Sequence, residues 1–240
     1  MFGVARSVRN LTMNVLMRIA RFTLLQMPLA LVVAILNPVT SHSADTSPAQ
    51  PPLFSEDFSQ TSAGPLPDSF MVIQGEFEVK ESGTNRLLEL PGAPLDSHSV
   101  LFGPVTNANV TAEARILSQR KVRRMPTFGV GLGGVAGYKI QVAPAKDAIE
   151  LLLDTQIVTN APFQWKSGTW THCQLQISQK GERAWAIKAR AWSEGDSAPA
   201  AWPIEIQATE PPIAGQASVL GSPFSGEPIQ FDDLRVSGAK

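Results

Sequence analysis

One stretch constrains this chain more than any other: residues 165–202, WKSGTWTHCQLQISQKGERAWAIKARAWSEGDSAPAAW, which hold all five Trp of the chain. After Trp170, apolar Cys173, Leu175 and Ile177 alternate with polar His172, Gln174 and Gln176. Side chains on a strand change face at every residue, so this pattern predicts one buried and one outward face. After a polar turn at Ser178–Arg183, Trp185, Ile187, Ala189 and Ala191 share one face, and Lys188, Arg190 and Trp192 share the other. Gly181 is expected to supply left-handed backbone angles in that turn. A helix over residues 184–192 is the competing reading, because alanine favours helix. The period-two charges favour a strand, and with it a β-hairpin inside a sandwich.

The same pattern recurs along the chain. Strands are expected at Leu53–Phe58, Phe70–Ile73, Glu76–Lys80, Asn85–Leu90, Val100–Phe102, Val110–Leu117, Phe128–Leu132, Tyr138–Val142 and Ile149–Leu153. After the hairpin come Ile204–Gln207, Gln216–Leu220 and Ile229–Val236. Gly64–Asp68 reads as a loop, and Gly133-Gly134 as a turn. Many short strands separated by Gly and Pro predict an all-β fold, an antiparallel two-sheet β-sandwich or jelly roll.

The first 44 residues read as an address rather than a domain. Arg6, Arg9, Arg18 and Arg21 precede an apolar run from Phe22 to Leu36, and small Ser41, Ser43 and Ala44 follow. These are the features of a secretory signal peptide. The run is 15 residues long and includes Gln26 and Pro28, whereas a spanning helix needs roughly 20 apolar residues. An uncleaved membrane anchor is the alternative, and Met13 or Met17 are alternative starts. The organisation expected is a signal peptide over 1–44, a flexible leader over 45–52 and a single sandwich domain over 53–238. The product is then exported, to the periplasm or beyond, without stable membrane insertion after cleavage. Without residues 1–44 the chain carries 16 Lys and Arg against 21 Asp and Glu, a net charge of −5. It lacks the basic balance of a nucleic-acid binder. The lone Cys173 cannot form an internal disulfide, lies on the apolar side of its strand and is expected in the core.

Four segments together resemble the concanavalin A-like lectin/glucanase superfamily: Phe54-Ser55-Glu56-Asp57-Phe58, Trp170–Ile177, Ala189–Gly195 with Pro199 and Trp202, and Phe231–Val236. More narrowly, the chain is similar to exported bacterial domains grouped with 3-keto-disaccharide hydrolases and laminin-G-like jelly rolls. The resemblance covers residues 53–236 and implies a fold. It leaves function open, because the superfamily holds enzymes, sugar binders and adhesion modules. A non-catalytic, lectin-like or cell-surface module that binds a polysaccharide or glycan is the leading expectation. A glycoside-active enzyme and a structural module for protein contacts are the alternatives.

Glucanases of the superfamily place Glu-x-Asp-x-Glu along one strand, and retaining glycosidases need two carboxyls about 5–5.5 Å apart. Glu150 and Asp154 have the right parity, but Leu152 stands between them. Their backbones would be about 13 Å apart on a flat strand. No nucleophile elbow, His-Glu-x-x-His or phosphate loop occurs, so no catalytic residue is assigned. The alternating Gly129 and Gly131 suit close strand approach.

Sandwich modules of this kind often hold a structural calcium where the first and last strands meet. Here Glu56, Asp57, Asp232 and Asp233 could supply oxygens for it; ion pairs with Arg235 are the other reading. No other cofactor is expected. Arg123 and Arg124, in the run Arg120–Arg124, suit an anionic polysaccharide through the planar guanidinium fork; a solvated hairpin tip is the plainer reading. Trp165, Trp192 and Trp202, at strand ends or in loops, are candidate sugar platforms, and Trp185 reads as core. Trp192 and Trp202 flank a loop that they could equally clamp.

Overall fold

The structure is a computed structural model that describes residues 51–239. The expected signal peptide and most of the leader lie outside the described residues. In chain order the strands are β1 Phe54–Glu56, β2 Gly64–Pro65, β3 Phe70–Gln74, β4 Glu78–Ser82, β5 Asn85–Leu90, β6 His98–Thr106, β7 Val110–Leu117 and β8 Thr127–Leu132. They continue as β9 Tyr138–Ala143, β10 Ala148–Leu153, β11 Gln156–Pro162, β12 Thr171–Gly181, β13 Ala184–Ser193, β14 Ile204–Ala208, β15 Gly215–Ser222 and β16 Ile229–Gly238. A 3-10 turn, Pro144–Lys146, joins β9 to β10.

Two antiparallel sheets form. The nine-stranded sheet runs β14-β13-β12-β7-β16-β5-β4-β2, with β1 also paired to β16. The seven-stranded sheet runs β11-β10-β9-β8-β15-β6-β3. Their inner faces meet in one core. Ala112, Ala114, Ile116, Leu175, Ile187 and Phe231 come from the first sheet, and Val100, Phe102, Phe128, Val130, Ile140 and Val219 from the second. The fold is therefore the all-β sandwich that the alternation predicts.

The organising hairpin forms as β12 and β13, with Cys173 opposite Ala191 and Ile177 opposite Ile187. Residues 184–192 are strand, so the helix alternative is overturned by cross-strand pairing. Cys173 and Trp185 are buried. Burial pushes the Cys173 thiol up, far from thiolate chemistry.

Four local expectations differ. The hairpin turn is tighter than Ser178–Arg183, because β12 runs on to Gly181 and only Glu182 and Arg183 remain between the strands. Gly181 accordingly lacks a left-handed angle and sits beside a register shift after Gln179; a bulge absorbs the twist instead. Gly64-Pro65, expected in a loop, pairs with Val79 and Glu78 as an edge strand, a place where proline's missing N–H is tolerated. The strand β11 has no counterpart in the sequence pattern. Its outer-edge position leaves Gln156, Ile157 and Val158 exposed, so no clean alternation marks it.

The basic run Arg120–Arg124 is also not a hairpin tip between paired strands. It carries the chain from β7 in one sheet to β8 in the other, through a turn closed by Lys121 and Arg124 backbone hydrogen bonds of 3.0 and 2.9 Å. Gly129 meets its expectation. A Cβ there would lie 1.8 Å from the Ile140 carbonyl oxygen.

Candidate functional site

The outward positions of β14, β13, β12, β7 and β16 fall into rows set by strand register. Trp192 lies opposite His172, His172 opposite Arg115, and Arg115 opposite Asp232. The next row runs Arg190, Gln174, Glu113, Arg235. A third runs Glu205, Lys188, Gln176, Thr111, Ser237. Neighbouring strands are about 4.8 Å apart, so a row across four strands spans about 14 Å.

In the first row, the His172 imidazole stacks on the Trp192 indole, with centroids 4.9 Å apart and planes 4° apart. His172 Nε2 lies 2.5 Å from the Glu194 carboxylate. Glu194 also faces Arg115 at 3.7 Å. Arg115 donates to Asp232 at 2.9 Å, lies 3.1 Å from Asp233, and covers the Trp170 ring at 4.6 Å. Asp232 is 2% exposed and also accepts from Asn85 at 2.9 Å. Three carboxylates thus share one guanidinium. The 3.1 Å approach of Arg115 Nε to Asp233 is a charge contact rather than an aligned hydrogen bond. Burial, then the neighbouring Asp232, raises Asp233 above the usual carboxylate range, and Arg115 opposes them.

The second row is built on Arg190. Its Nε donates to Gln174 at 2.5 Å, and its Nη1 donates to the Pro199 carbonyl at 2.6 Å. The guanidinium lies 4.3 Å from the Trp202 ring centroid and 5.5 Å from that of Trp192. Gln174 in turn donates to Glu113. Arg190 has no carboxylate partner among the described residues. The β13–β14 loop is therefore clamped by Arg190 and Trp202, while Trp192 remains half-buried beside His172. In the third row, Lys188 pairs with Glu205 at 3.0 Å and Gln176 donates to Thr111 at 3.2 Å.

Three solved structures share this architecture. A xylan β-1,4-xylosidase from Bacillus halodurans superposes with a TM-score of 0.52 at 14% identity, over 76% of this chain and 38% of that one. An uncharacterized protein from Mycobacterium paratuberculosis gives 0.51 at 15% identity, over 77% and 99%. The transglycosylase Crh5 in its apo form gives 0.51 at 10% identity, over 80% and 89%. The fold is a two-sheet antiparallel β-sandwich of the jelly-roll kind. At these identities the likeness is one of fold. No protein-family model matches the chain, and no curated protein matches it.

Within this jelly roll the anticipated residues separate. Trp192 and Trp202 come together on the face, joined through Arg190. Trp165 lies apart from them, half-buried, edge-on to Phe128 at 6.1 Å and packed on the core. Arg123 and Arg124 are exposed in the inter-sheet turn and make no ion pair among the described residues. Glu150, one of the two weighed carboxylates, is buried against Lys146 at 2.6 Å. Asp154 stands beyond the end of β10, at φ 54°, so the two do not share a strand.

The four acids lie near one another where the first and last strands join, Glu56 opposite Leu234 and Asp57 acting on Asp233, but each is engaged by another group. Glu56 accepts from its own loop, from Phe58 N at 2.6 Å and Thr61 Oγ1 at 3.2 Å. Asp57 accepts from Ser59, whose hydroxyl and backbone N–H hold it below the usual range. Asp232 and Asp233 are committed to Arg115, not to Arg235. Among the described residues no group of three or more His, Cys, Asp or Glu is arranged to hold a metal ion.

The face residues that sequence reasoning missed are Arg115, Trp170, His172, Gln174, Arg190 and Glu194. Period-two alternation placed His172, Gln174 and Arg190 on the outward side. What it lacked was the register that sets β7 beside β12, which no local pattern encodes.

Proposed function

We propose that this chain is a non-catalytic carbohydrate-binding module whose ligand lies on the outer face of the nine-stranded sheet. The observation that carries the reading is the Trp192–Arg190–Trp202 arrangement beside the stacked His172. Binding sites commonly pair aromatic surface with a few fixed polar groups. Here half-buried indoles offer flat apolar surface to sugar C–H faces. Arg190, Glu113 and Glu194 offer polar groups held in place, the first two through the buried Gln174 between them.

Charge favours a neutral glycan. The three rows and their flanking loops carry Arg115, Lys188, Arg190 and Arg235 against Glu113, Glu194, Glu205, Asp232 and Asp233. Such a balance gives an anionic polymer no net attraction. Export to the periplasm or cell exterior belongs to the same reading, supported by the basic and apolar opening of residues 1–44; N-terminal sequencing of secreted protein tests it. A glycan array run with and without a chelator tests the function. Binding to neutral glycans that Trp192→Ala removes supports it, and an array blank for neutral glycans defeats it.

One observation favours a second reading, a glycoside-active enzyme of the 3-keto-disaccharide hydrolase kind. Asp233, exposed on the same face 3.1 Å from Arg115, is raised above the usual carboxylate range by partial burial and by Asp232, the direction a general acid needs. Sugar turnover abolished by Asp233→Asn would establish that reading in place of the first.

A further inference from the structure

Each sheet has two terminal strands, β14 and β2 in one and β11 and β3 in the other. On the side away from β6, β3 has no hydrogen-bonded neighbour among the described residues. Its sequence, FMVIQ, is apolar and uncharged, and Met71, Val72 and Ile73 are 56%, 42% and 42% exposed. A strand edge of this kind is a ready template for another extended chain, and native proteins usually blunt it with charge, proline or a cover. Beside it lies a groove of about 380 Å³. It is lined by apolar Leu66, Phe70 and Phe77 and by the carboxylates Asp68, Glu76 and Glu78.

Charge selects among occupants. Residues 51–100 carry eight Asp and Glu against two Lys and Arg, whereas residues 101–240 carry twelve against fourteen. The acidic excess is thus concentrated in the segment that holds β3 and the groove. A second copy of this chain would set like charges together at the edge. We infer that β3 is a docking edge for an extended segment of another protein, with apolar side chains flanked by Lys or Arg. The segment adds a strand to the seven-stranded sheet and seats one apolar side chain in the groove. Backbone pairing supplies affinity, and the groove with its acids supplies selection. This surface, at β3 and the β2–β4 end of the nine-stranded sheet, shares no residue with the proposed glycan face on β13, β12, β7 and β16.

The test uses the full chain and a fluorescein-labelled peptide, Lys-Lys-Val-Thr-Val-Thr-Val-Lys-Lys, with a counterpart in which Glu replaces every Lys. Fluorescence anisotropy is expected to show the basic-flanked peptide binding at least about tenfold more tightly. Combined Asp68→Lys and Glu76→Lys substitutions should reverse that preference. Hydrogen exchange at the amides of Met71–Ile73 should slow when the basic peptide is added. Val72→Pro should abolish binding; Val72→Lys, a milder change at an exposed position, should weaken it if the proline variant fails to fold. Equal affinity for the two peptides, or none for either, would overturn the inference. So would a concentration-dependent dimer in sedimentation that Val72→Lys dissolves, which would assign the edge to a second copy.

Discussion

The imidazole of His172 lies flat on the indole of Trp192, 4.9 Å away and within 4° of parallel. Neither ring is deeply buried, and each stands on a different strand. Trp192→Ala therefore removes part of the proposed binding surface while leaving the core intact. We expect at least about tenfold weaker glycan binding, or about 1.4 kcal/mol, by isothermal titration. Trp165→Phe, on the Phe128 side of the core, should leave that affinity unchanged.

Arg115 is expected to matter more for stability than its exposed neighbours. It is the cation on Asp232, which is 2% exposed. Arg115→Met strands a buried carboxylate with only Asn85 to donate a side-chain hydrogen bond. Loss of one partner from a buried pair costs about 3–5 kcal/mol. Urea unfolding should show a loss in that range for Arg115→Met and a smaller one for Arg115→Met combined with Asp232→Asn, which removes the stranded charge.

Asp233 and Asp57 should leave opposite marks on stability against pH. Asp233 is raised by burial and by Asp232, so the folded state binds its proton more tightly. Its contribution is present below the ordinary carboxylate value and is lost as pH rises through the raised value. Asp57 is lowered by Ser59, so its contribution is present above the ordinary value and is lost as pH falls through the lowered one. Thermal unfolding between pH 2 and 7 should show Asp233→Asn removing the first slope and Asp57→Asn the second. Asparagine suits position 233, because the native φ there is 51° and Asn tolerates left-handed backbone. A wild-type slope unchanged by either substitution would contradict this assignment.

Two glycines should behave differently when replaced by alanine. At Gly129 a Cβ would lie 1.8 Å from the Ile140 carbonyl oxygen, so backbone must move. At Gly181 the nearest atom would be Ala184 Cβ at 3.7 Å, an ordinary contact, with no left-handed angle to strain. Gly129→Ala should destabilise by about 3 kcal/mol or more. Gly181→Ala should be neutral or stabilise by about 0.4–1 kcal/mol through the unfolded chain. Denaturant titration of both variants separates these outcomes.

Alternation alone foretold much of the fold. Val110–Leu117 forms with the bounds read from its pattern, and the faces of β12 and β13 bury Cys173, Leu175, Trp185 and Ile187 as their parity requires. The misses have a common cause. Pairing, rather than pattern, makes β2 a strand of Gly64 and Pro65, and makes β11 a strand whose residues 156–158 are all exposed. The face was half legible for the same reason. Trp192 and Arg190 announce themselves on one strand, but Arg115 joins them only because Ile116 pairs with Thr171 and sets the register of the two strands. Trp165 looked like a loop aromatic because its approach to Phe128 is a contact between distant segments.

The bond from Arg190 to the Pro199 carbonyl fixes the span between β13 and β14 beside the proposed glycan face. A loop already held in shape surrenders little motional freedom on complex formation. Association should then resemble rigid docking, with one kinetic phase and little change in loop mobility, and Arg190→Ala should convert it to a slower, multiphasic process.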